Sequence, residues 1–410
     1  MKTAILTIGT EILFGQVVNT NAAFLSEQLQ NIGYDVMYHY TVGDNPGRLE
    51  KLLGIAFEDC DLVLTTGGLG PTQDDVTKET ICRYFGDEMV KHPEVEEWLR
   101  DLWKKMGMTW TDNNLTQAYF PSTAELLPNP KGTAPGFRLE KNRKIIMSMP
   151  GPPREMKAMF LDYVKPYLES RTDGHICYKI VRTYGIGESV LEDALLPLID
   201  GQTDPTIATY CKEGECMARV TSKRETLEEA EAAVEEMVGT VKSLVGDYVF
   251  SCDNEELVEV LGKILIEKNI TISAAESCTA GLFASTLCSV PGISAVFDRG
   301  LVTYSEVAKK KELGVRTETL EKYTAVSPEV AFEMVSGLAA KTGSALCLSI
   351  TGVAGPDDLS EDKPAGLAYI GLRYKGEVKV VEFRTRNVDR NNNRRKMVLR
   401  MISEAYSLVK

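Results

Sequence analysis

The segment Ala274-Ala275-Glu276-Ser277-Cys278-Thr279-Ala280-Gly281 joins an apolar run at residues 270–273 to a helical pattern at residues 282–287. A strand that ends in small residues and continues as a helix gathers a hydroxyl group and several backbone N–H groups at the positive end of the helix dipole. Such a turn suits a nucleophile or a bound phosphate. A Ser-Cys-Thr run before a helix also has a simpler interpretation, because these residue types commonly cap helices.

The composition is that of a folded protein. A length of 410 residues predicts two or three domains with their own cores, and 43% hydrophobic with 26% charged residues argues against disorder. The apolar run within residues 1–11 is too short for a signal peptide or a membrane span, so we expect a first strand there, a cytoplasmic protein and no membrane partner.

Cysteine usage and charge exclude further classes. The nine cysteines include no CxxC pair and have no histidine at zinc-ligand spacing, which predicts reduced thiols. The net charge of −13 repels phosphate backbones, so nucleic acid is not expected as the main partner.

Strands and helices alternate over residues 1–168. The apolar β-branched runs and the helical patterns between them fall at 5–8, 22–32, 35–40, 48–57 and 61–64. This βαβαβ order predicts an α/β fold with a parallel sheet, covered by helices on both faces. Ligands of such sheets bind beyond the carboxyl ends of the strands.

Two loops follow strands of this predicted sheet, at residues 9–15 and 65–75. The second places three glycines before Asp74 and Asp75. Glycines let the backbone approach a phosphate, and neighbouring carboxylates can hold a divalent cation, so this loop predicts a pyrophosphate site. The alternative is that the two aspartates only cap the helix that begins near residue 76.

Residues 169–252 predict a small α+β module. Its patterns are a strand at 176–183, a helix at 189–198, a strand pair at 206–210 and 215–221 around Glu213-Gly214, and a long amphipathic helix at 227–245. The nearest match to a Gly-x-x-Gly nucleic-acid loop, Gly185-Ile186-Gly187-Glu188, lacks the second glycine and carries an acid. We therefore predict a connector or dimerisation module and a homodimer. The next helix is expected to start near Asp253, three residues before Glu256.

Further motifs carry a resemblance over essentially the whole chain. They are Gly9-Thr10-Glu11-Ile12-Leu13, Thr66-Gly67-Gly68-Leu69-Gly70-Pro71-Thr72, the segment at 274–281, Phe297–Ser305 followed by Lys309, Thr324–Ser327 and Ser349–Pro356. Together they resemble the CinA-type competence/damage-inducible proteins. The resemblance implies a molybdopterin-binding-like domain at 1–168, a KH-like connector at 169–252 and an α/β amidase domain at 253–410.

The resemblance also implies two hydrolytic activities of pyridine-nucleotide salvage. The C-terminal domain is similar to nicotinamide-nucleotide amidase, which converts nicotinamide mononucleotide to nicotinate mononucleotide and ammonia. The N-terminal domain is similar to one associated with metal-dependent hydrolysis of ADP-ribose to AMP and ribose 5-phosphate.

For the C-terminal reaction the resemblance assigns Ser277 as the nucleophile, Lys309 as its base and Tyr304 as a residue that steers the proton. A serine–lysine pair requires a neutral lysine, which burial favours. No cofactor is expected. Substrate contacts are assigned to Glu276, Cys278, Thr279, Gly281, Arg299, Thr351, Gly352 and Arg390.

Two alternatives to this pair remain. Cys278 is a rival nucleophile at a helix start, although no histidine lies in this domain, since the three are His39, His92 and His175. Lys309 begins a run of three lysines, which is also typical of a solvated helix face.

For the N-terminal reaction we expect Mg²⁺, Mn²⁺ or Co²⁺, with K⁺ as an optional second ion. The metal or water ligands are predicted to be Glu11, Asp74, Asp75 and Glu155. Phosphate and ribose contacts are predicted for Gly9, Asn19, Gly67, Gly68, Gly70, Thr72, Pro150 and Gly151.

Two other classes of function share these features. One is a molybdopterin-binding or adenylyl-transferring enzyme built on the same N-terminal fold. The other is a non-enzymatic competence or recombination partner, which the acidic charge and the lack of a long basic run disfavour.

Overall fold

The computed structural model describes residues 1–172, 174–212, 214–385 and 389–410. The predictions that touch Glu213 and residues 386–388 lie outside these ranges. Two compact units are formed, one by residues 1–177 with 223–230 and the other by residues 178–222 with 231–410. None of the helices in the described part of the chain combines the length and the apolar character that crossing a membrane requires.

The first unit is built on a six-stranded sheet with the strand order β2-β1-β3-β8-β7-β6. The elements of this region are β1 (Lys2–Ile8), α1 (Thr10–Leu13), α2 (Thr20–Asn31), β2 (Asp35–Val42), α3 (Pro46–Asp59), β3 (Leu62–Thr66), α4 (Thr77–Phe85), β4 (Met89–Lys91), α5 (Pro93–Met106), β5 (Tyr119–Pro121), β6 (Glu125–Leu127), β7 (Gly136–Lys141), β8 (Lys144–Met149), α6 (Pro153–Met159) and α7 (Lys165–Glu169).

The predicted parallel sheet is confirmed for its first four strands. β1 pairs in parallel with β2 and β3, and β3 pairs in parallel with β8. β7 and β6 add antiparallel strands at one edge. β4 and β5 form a separate two-stranded ribbon.

Helices cover both faces because side chains alternate along the central strands. Leu6 and Val63 belong to a core that includes residues of α3, α4 and α5. Ile5 and Leu64 belong to a core that includes residues of α2, α6 and α7. Every residue of β3 is buried, as expected for a strand covered on two faces.

The middle region forms a four-stranded sheet in the order β10-β11-β9-β12. Its elements are β9 (His175–Tyr184), α8 (Glu188–Ile199), β10 (Thr206–Lys212), β11 (Glu215–Arg224), α9 (Leu227–Val245) and β12 (Val249–Ser251). This is the small α+β module that the sequence predicts, with β10 and β11 as an antiparallel hairpin.

The C-terminal region has a five-stranded sheet in the order β14-β13-β15-β16-β17. Its elements are α10 (Leu257–Glu267), β13 (Ile272–Glu276), α11 (Leu282–Leu287), β14 (Phe297–Val302), α12 (Glu306–Leu313), α13 (Thr317–Tyr323), α14 (Pro328–Thr342), β15 (Leu346–Gly352), β16 (Leu367–Tyr374), β17 (Glu377–Arg384) and α15 (Arg390–Val409).

The start of α10 corrects one expectation. Glu256, not Asp253, is the N-cap, and it forms a capping box with Glu259. The helix starts three residues later than predicted because the capping box pairs Glu256 with Glu259, each side chain accepting a hydrogen bond from the backbone N–H of the other residue.

Strand direction places the C-terminal site. β13 is parallel to both β14 and β15, so these three strands end at the same edge of the sheet. Ser277 follows β13, Tyr304 lies two residues beyond β14, and the loop at 353–356 follows β15. The motif residues thus meet although they are far apart in sequence.

Candidate functional site

The Ser277 hydroxyl and the Lys309 amine form a buried pair. Nζ of Lys309 lies 2.9 Å from Oγ of Ser277, and the two residues are 1% and 8% exposed. Nζ also donates to the carbonyl oxygens of Thr303 at 2.9 Å and Tyr304 at 3.2 Å. The solvated-face interpretation of this lysine therefore does not hold.

Burial lowers the pKa of Lys309 below its usual value, because the charged ammonium loses its hydration. Cys278 and Glu306 oppose this shift. All three protein groups that Nζ contacts are neutral. The environment thus favours the neutral amine that a proton acceptor needs.

Glu276 fixes the turn that carries the nucleophile. Its carboxylate accepts hydrogen bonds from the N–H groups of Phe283 at 3.1 Å and Ala284 at 2.9 Å. Glu276 is 1% exposed, so it closes the first turn of α11 from within the protein. Glu276 therefore positions Ser277 through these capping contacts, and the predicted substrate contact of Glu276 stays a prediction.

Cys278 points into the core. It packs among the apolar residues of this domain and its Sγ lies 3.8 Å from Sδ of Met397. Burial raises the pKa of the Cys278 thiol to about 12. A thiolate nucleophile is therefore disfavoured, and the predicted substrate contact is replaced by a packing role.

Tyr304 and Arg390 lie together at the edge of the site. The Arg390 guanidinium donates to Oη of Tyr304 at 3.1 Å and to the carbonyl of Gly355. The Tyr304 side chain is exposed. These two predicted residues are brought together beside the loop that follows β15.

Arg394 is a site residue that the sequence analysis missed. It lies one helical turn after Arg390 on α15 and donates from Nη2 to the carbonyl of Thr279 at 2.7 Å. Its Nε is buried without a protein acceptor in the described part of the chain. The spacing of four residues along a helix was the available signal.

The other residues of the turn are placed as follows. Thr279 is fully buried, and its Oγ1 accepts or donates no hydrogen bond among the described residues. Gly281 has a φ of 88°, in the left-handed region that favours glycine. Both predicted residues therefore lie beside Ser277, where the backbone reverses into α11.

The loop after β15 is held by side chains. Thr351 donates from Oγ1 to the carbonyl of Ala325 at 2.6 Å, so its hydroxyl proton is used within the protein. A Cβ on Gly352 would lie 2.6 Å from the carbonyl oxygen of Leu367, which explains the glycine. Asn393 donates to the carbonyl of Ala354 at 3.0 Å. Thr351 and Gly352 thus shape the loop more than they face a ligand.

Arg299 does not join the site. It pairs with Ser273 in the register of β13 and β14, four residues before Ser277, which is about 13 Å along a strand. Its guanidinium binds the neighbouring Asp298 at 2.7 Å. Arg299 thus lies within β14 and not in the loop beyond it, and its predicted substrate contact stays a prediction.

The predicted N-terminal residues line a polar cavity of about 320 Å³, with one exception. The cavity lies at the carboxyl ends of β1, β3 and β8. Its lining includes the predicted residues Gly9, Glu11, Gly67, Gly68, Gly70, Thr72, Asp74, Asp75, Pro150, Gly151 and Glu155, together with Asp44, Gln117 and Thr133, which were not predicted as site residues.

Gly67 and Gly68 are required by the turn itself. Their φ values are 109° and 67°, and a Cβ on Gly68 would clash with the Thr77 side chain. Thr77 donates from Oγ1 to the carbonyl of Gly67 at 2.9 Å. Asn21 joins this loop to the next by donating to Oγ1 of Thr66 and to the carbonyl of Gly151.

Asn19 is the exception. Its Oδ1 accepts a hydrogen bond from the N–H of Ala22 and its Nδ2 donates to Thr7. Asn19 is therefore the N-cap of α2, and it does not belong to the cavity lining. Each end of its amide makes one hydrogen bond within the protein, and the predicted ligand contact of Asn19 stays a prediction.

The four predicted metal ligands share the cavity but do not form a preassembled cluster. Among the described residues, no group of three or more His, Cys, Asp or Glu side chains is arranged to hold a metal ion. Asp75 accepts from the N–H of Thr72 at 2.8 Å, and Glu155 accepts from Asn129 at 2.7 Å. The Glu11 carboxylate accepts no hydrogen bond from the described part of the chain, although the Glu11 backbone carbonyl accepts one from the N–H of Gln16 at 3.0 Å.

Comparison with known proteins follows the same three regions. The model described as "Probable molybdopterin binding domain" matches residues 4–170. The model of the damage-inducible protein CinA KH domain matches residues 178–251, and the CinA C-terminal domain matches residues 254–408.

Relatives match over nearly the whole chain. A competence-damage inducible protein of Clostridium perfringens is 48% identical over 384 residues, 93% of each chain. A CinA-like protein of Dictyoglomus thermophilum is 46% identical over 394 residues, 96% of each chain. The solved CinA structure from Thermoplasma acidophilum, whose function is unknown, is 35% identical to this chain. The match covers 40% of this chain and 96% of that one, and its TM-score is 0.38. From its full-length relatives and its three domain matches, the chain belongs to the CinA family of competence/damage-inducible proteins.

Proposed function

We propose that this protein is a bifunctional hydrolase that deamidates nicotinamide mononucleotide at Ser277 and hydrolyses ADP-ribose in the N-terminal cavity. The observation that carries the first activity is the buried contact of 2.9 Å between Lys309 Nζ and Ser277 Oγ. The family resemblance supplies the substrate, and the geometry supports the reaction class.

The contacts of Lys309 suit a general base. A neutral amine has two N–H groups and one lone pair. If the two N–H groups are donated to the carbonyls of Thr303 and Tyr304, the lone pair is left for the Ser277 hydroxyl. Lys309 then accepts the serine proton as Oγ attacks the carboxamide carbon.

The same lysine completes the cycle. It donates its proton to the departing nitrogen, which leaves as ammonia, and an acyl group remains on Oγ of Ser277. Water then attacks the acyl carbon and passes one proton to Lys309, which returns it to Oγ as the acyl C–O bond breaks, and the carboxylic acid product loses its remaining proton to solvent. The net reaction consumes one water and releases one ammonia, with no cofactor.

Residues of α15 are suited to hold the nucleotide. Arg390 lies at the rim and can bind a phosphate through the guanidinium edge that now contacts Tyr304. Arg394 supports the turn through the carbonyl of Thr279. The N–H groups of Ala354 and Gly355 donate to no acceptor in the described part of the chain, so they are candidate donors to the carboxamide oxygen.

The N-terminal cavity supports the second activity. Its glycine loop lets the backbone approach a diphosphate, and Glu11, Asp74, Asp75 and Glu155 are hard oxygen ligands. Among the described residues the carboxylates form no cluster of three, so we infer a cation held by one or two carboxylates together with substrate oxygens. A bound divalent cation would neutralise phosphate charge and acidify water. Asp75 and Thr72 would fix the loop around it.

The first experiment measures ammonia release from nicotinamide mononucleotide by the purified chain and by the Ser277→Ala and Lys309→Ala variants. We expect turnover by the wild type and losses of at least about a thousandfold in both variants. ADP-ribose hydrolysis with Mg²⁺, Mn²⁺ or Co²⁺ is expected to be unchanged in the variants. An inactive wild type across pH values would contradict the first activity.

The N-terminal proposal has its own test. Hydrolysis of ADP-ribose that stops with a chelator and returns with a divalent cation would support it. Tight binding of a pterin without ADP-ribose turnover would instead favour a molybdopterin-binding protein. The predicted homodimer stays a prediction that sedimentation would test.

A further inference from the structure

Two cysteines face each other across the β10–β11 hairpin. Cys211 and Cys216 are partners in the antiparallel register, and their Sγ atoms lie 2.8 Å apart. Opposed residues in antiparallel strands have Cα atoms about 4.5 to 5.5 Å apart, which lies within the range that disulfides span. The backbone therefore needs no movement to join the two sulfurs.

We propose that Cys211 and Cys216 form a reversible cross-strand disulfide, which makes this hairpin an oxidation site independent of the two hydrolytic sites. The oxidant is a peroxide or a low-molecular-weight disulfide. Both cysteines are free thiols in the structure, which is the reduced state of the pair.

Exposure sets the order of the reaction. Cys211 is exposed and Cys216 is 6% exposed, so an oxidant in solution reaches Cys211 first. With a low-molecular-weight disulfide, the Cys211 sulfur forms a mixed disulfide and releases one small thiol. The Cys216 sulfur then attacks Cys211 and releases the second small thiol. Two protein thiols are oxidised and one small disulfide is reduced to two thiols.

A peroxide leads to the same product. It converts Cys211 to a sulfenic acid with release of water, and the Cys216 thiol displaces a second water to form the disulfide. The sequence consumes one peroxide for two thiols.

The surroundings make the reaction slow at neutral pH. Burial, the Cys216 thiol and the nearby Glu188 carboxylate raise the pKa of Cys211 to about 12. Because the thiolate is the reactive form, the rate of oxidation is expected to rise about tenfold for each pH unit between 7 and 9.

The crosslink would restrain the backbone next to Glu215, which forms a buried ion pair with Arg182. Glu215, next to Cys216, binds Arg182, and both side chains are at least nine-tenths buried. Arg182 also donates to the carbonyl of Asn254 at 3.1 Å. The oxidised hairpin is therefore expected to slow hydrogen exchange along β10 and β11.

Cys288 provides a matched control within the chain. It is exposed like Cys211, but no other cysteine sulfur lies within hydrogen-bond range of it in the described structure. The full-length chain is incubated with oxidised glutathione, free thiols are alkylated, and peptides are mapped by mass spectrometry.

We expect Cys211 and Cys216 to appear in one peptide that has lost two hydrogen atoms, while Cys288 carries glutathione. In the Cys211→Ser variant the crosslink should vanish, and in the Cys216→Ala variant Cys211 should keep glutathione as Cys288 does. A wild-type chain in which Cys211 retains glutathione, or in which both thiols are alkylated after prolonged exposure at pH 9, would overturn the proposal.

Discussion

The two candidate sites lie at the carboxyl ends of parallel strands, yet they differ in how complete they are. In the C-terminal domain Ser277 and Lys309 already touch at 2.9 Å and are almost fully buried. In the N-terminal domain the glycine loop borders an open polar cavity whose carboxylates form no preassembled cluster among the described residues. A site whose catalytic groups are its own side chains needs them in position before the substrate binds. A site whose ligands are a cation and a diphosphate needs an open volume for both.

Among the described residues, the N-terminal and C-terminal domains each bury one lysine, and comparing the two shows that burial alone does not make a lysine a base. Lys78 is 1% exposed like Lys309, but its Nζ donates to the carbonyl of Thr116 at 2.6 Å and lies 4.8 Å from the centre of the Phe120 ring. It does not belong to the cavity lining. A buried lysine becomes a candidate base only when a nucleophile is placed beside it.

The largest effect is expected for Lys309→Arg. The guanidinium keeps its proton at any working pH, so it cannot accept the serine proton, and ammonia release should fall by about a thousandfold or more. ADP-ribose hydrolysis by the same preparation is the control for the amount of protein and for the fold of the first unit. More than a tenth of the wild-type ammonia release would show that Lys309 acts only by packing.

A second substitution tests whether the glycine loop forms the other site. Gly68→Ala adds a Cβ against the Thr77 side chain at a φ of 67°, so the loop must shift. We expect ADP-ribose hydrolysis to fall by about a hundredfold, comparable to the loss of one preorganised phosphate contact. Ammonia release should be unchanged.

The matched control is Gly54→Ala in α3, where a Cβ meets no atom within 4 Å. Alanine has the higher helix propensity, so this variant should keep both activities. Equal losses in the two glycine variants would mean that the loop has no special role.

The Lys78→Met variant tests whether the buried Lys78 makes the free energy of unfolding depend on pH. Burial lowers the pKa of Lys78 to about 8 from its usual 10.5. Between these values the unfolded chain binds more protons, so the free energy of unfolding rises with pH in that range. Below pH 8 the charged lysine costs on the order of 3 kcal/mol, and the methionine variant should lack this pH dependence.

Denaturation monitored by tryptophan fluorescence suits this measurement, because Trp98, Trp103 and Trp110 all lie in the first unit. Lys51→Met, which replaces an exposed lysine on α3, is the control and should retain the wild-type pH dependence. A wild-type slope in Lys78→Met would refute the buried-charge account.

The smallest effect is expected for Cys278→Ala. The thiol is buried with a raised pKa, so removing it leaves Ser277 as the nucleophile and creates only a small cavity. Ammonia release should stay within about threefold of the wild type, as expected for a residue outside the chemistry. A loss as large as that of Ser277→Ala would return Cys278 to the mechanism.

Sequence reasoning found residues that lie within short motifs. The turn at Ser277, the glycine loop and Lys309 are each encoded over a few positions, so resemblance and spacing located them. The long helix at Leu227–Val245 was also found with its observed bounds, because its apolar spacing persists over five turns.

The tertiary contacts of single residues were not predicted from the sequence. Arg299 differs from a loop residue only through the strand register. Glu276 turns inward to cap α11, and Asn19 uses its amide on its own helix. Arg394 reaches Thr279 across 115 positions of sequence; its spacing from Arg390 indicates a shared helix face but not this contact.

The contacts of α15 have a consequence for synthesis. The lining of the N-terminal cavity is complete once Glu155 has been made, whereas the C-terminal site needs Arg390 and Arg394 to fasten the Tyr304, Gly355 and Thr279 segments. Domains generally fold in order as the ribosome releases them. We therefore expect the N-terminal cavity to form early in elongation of the chain. Ser277 and Lys309 are expected to be fixed in place only after α15 is translated, more than 80 codons after Lys309.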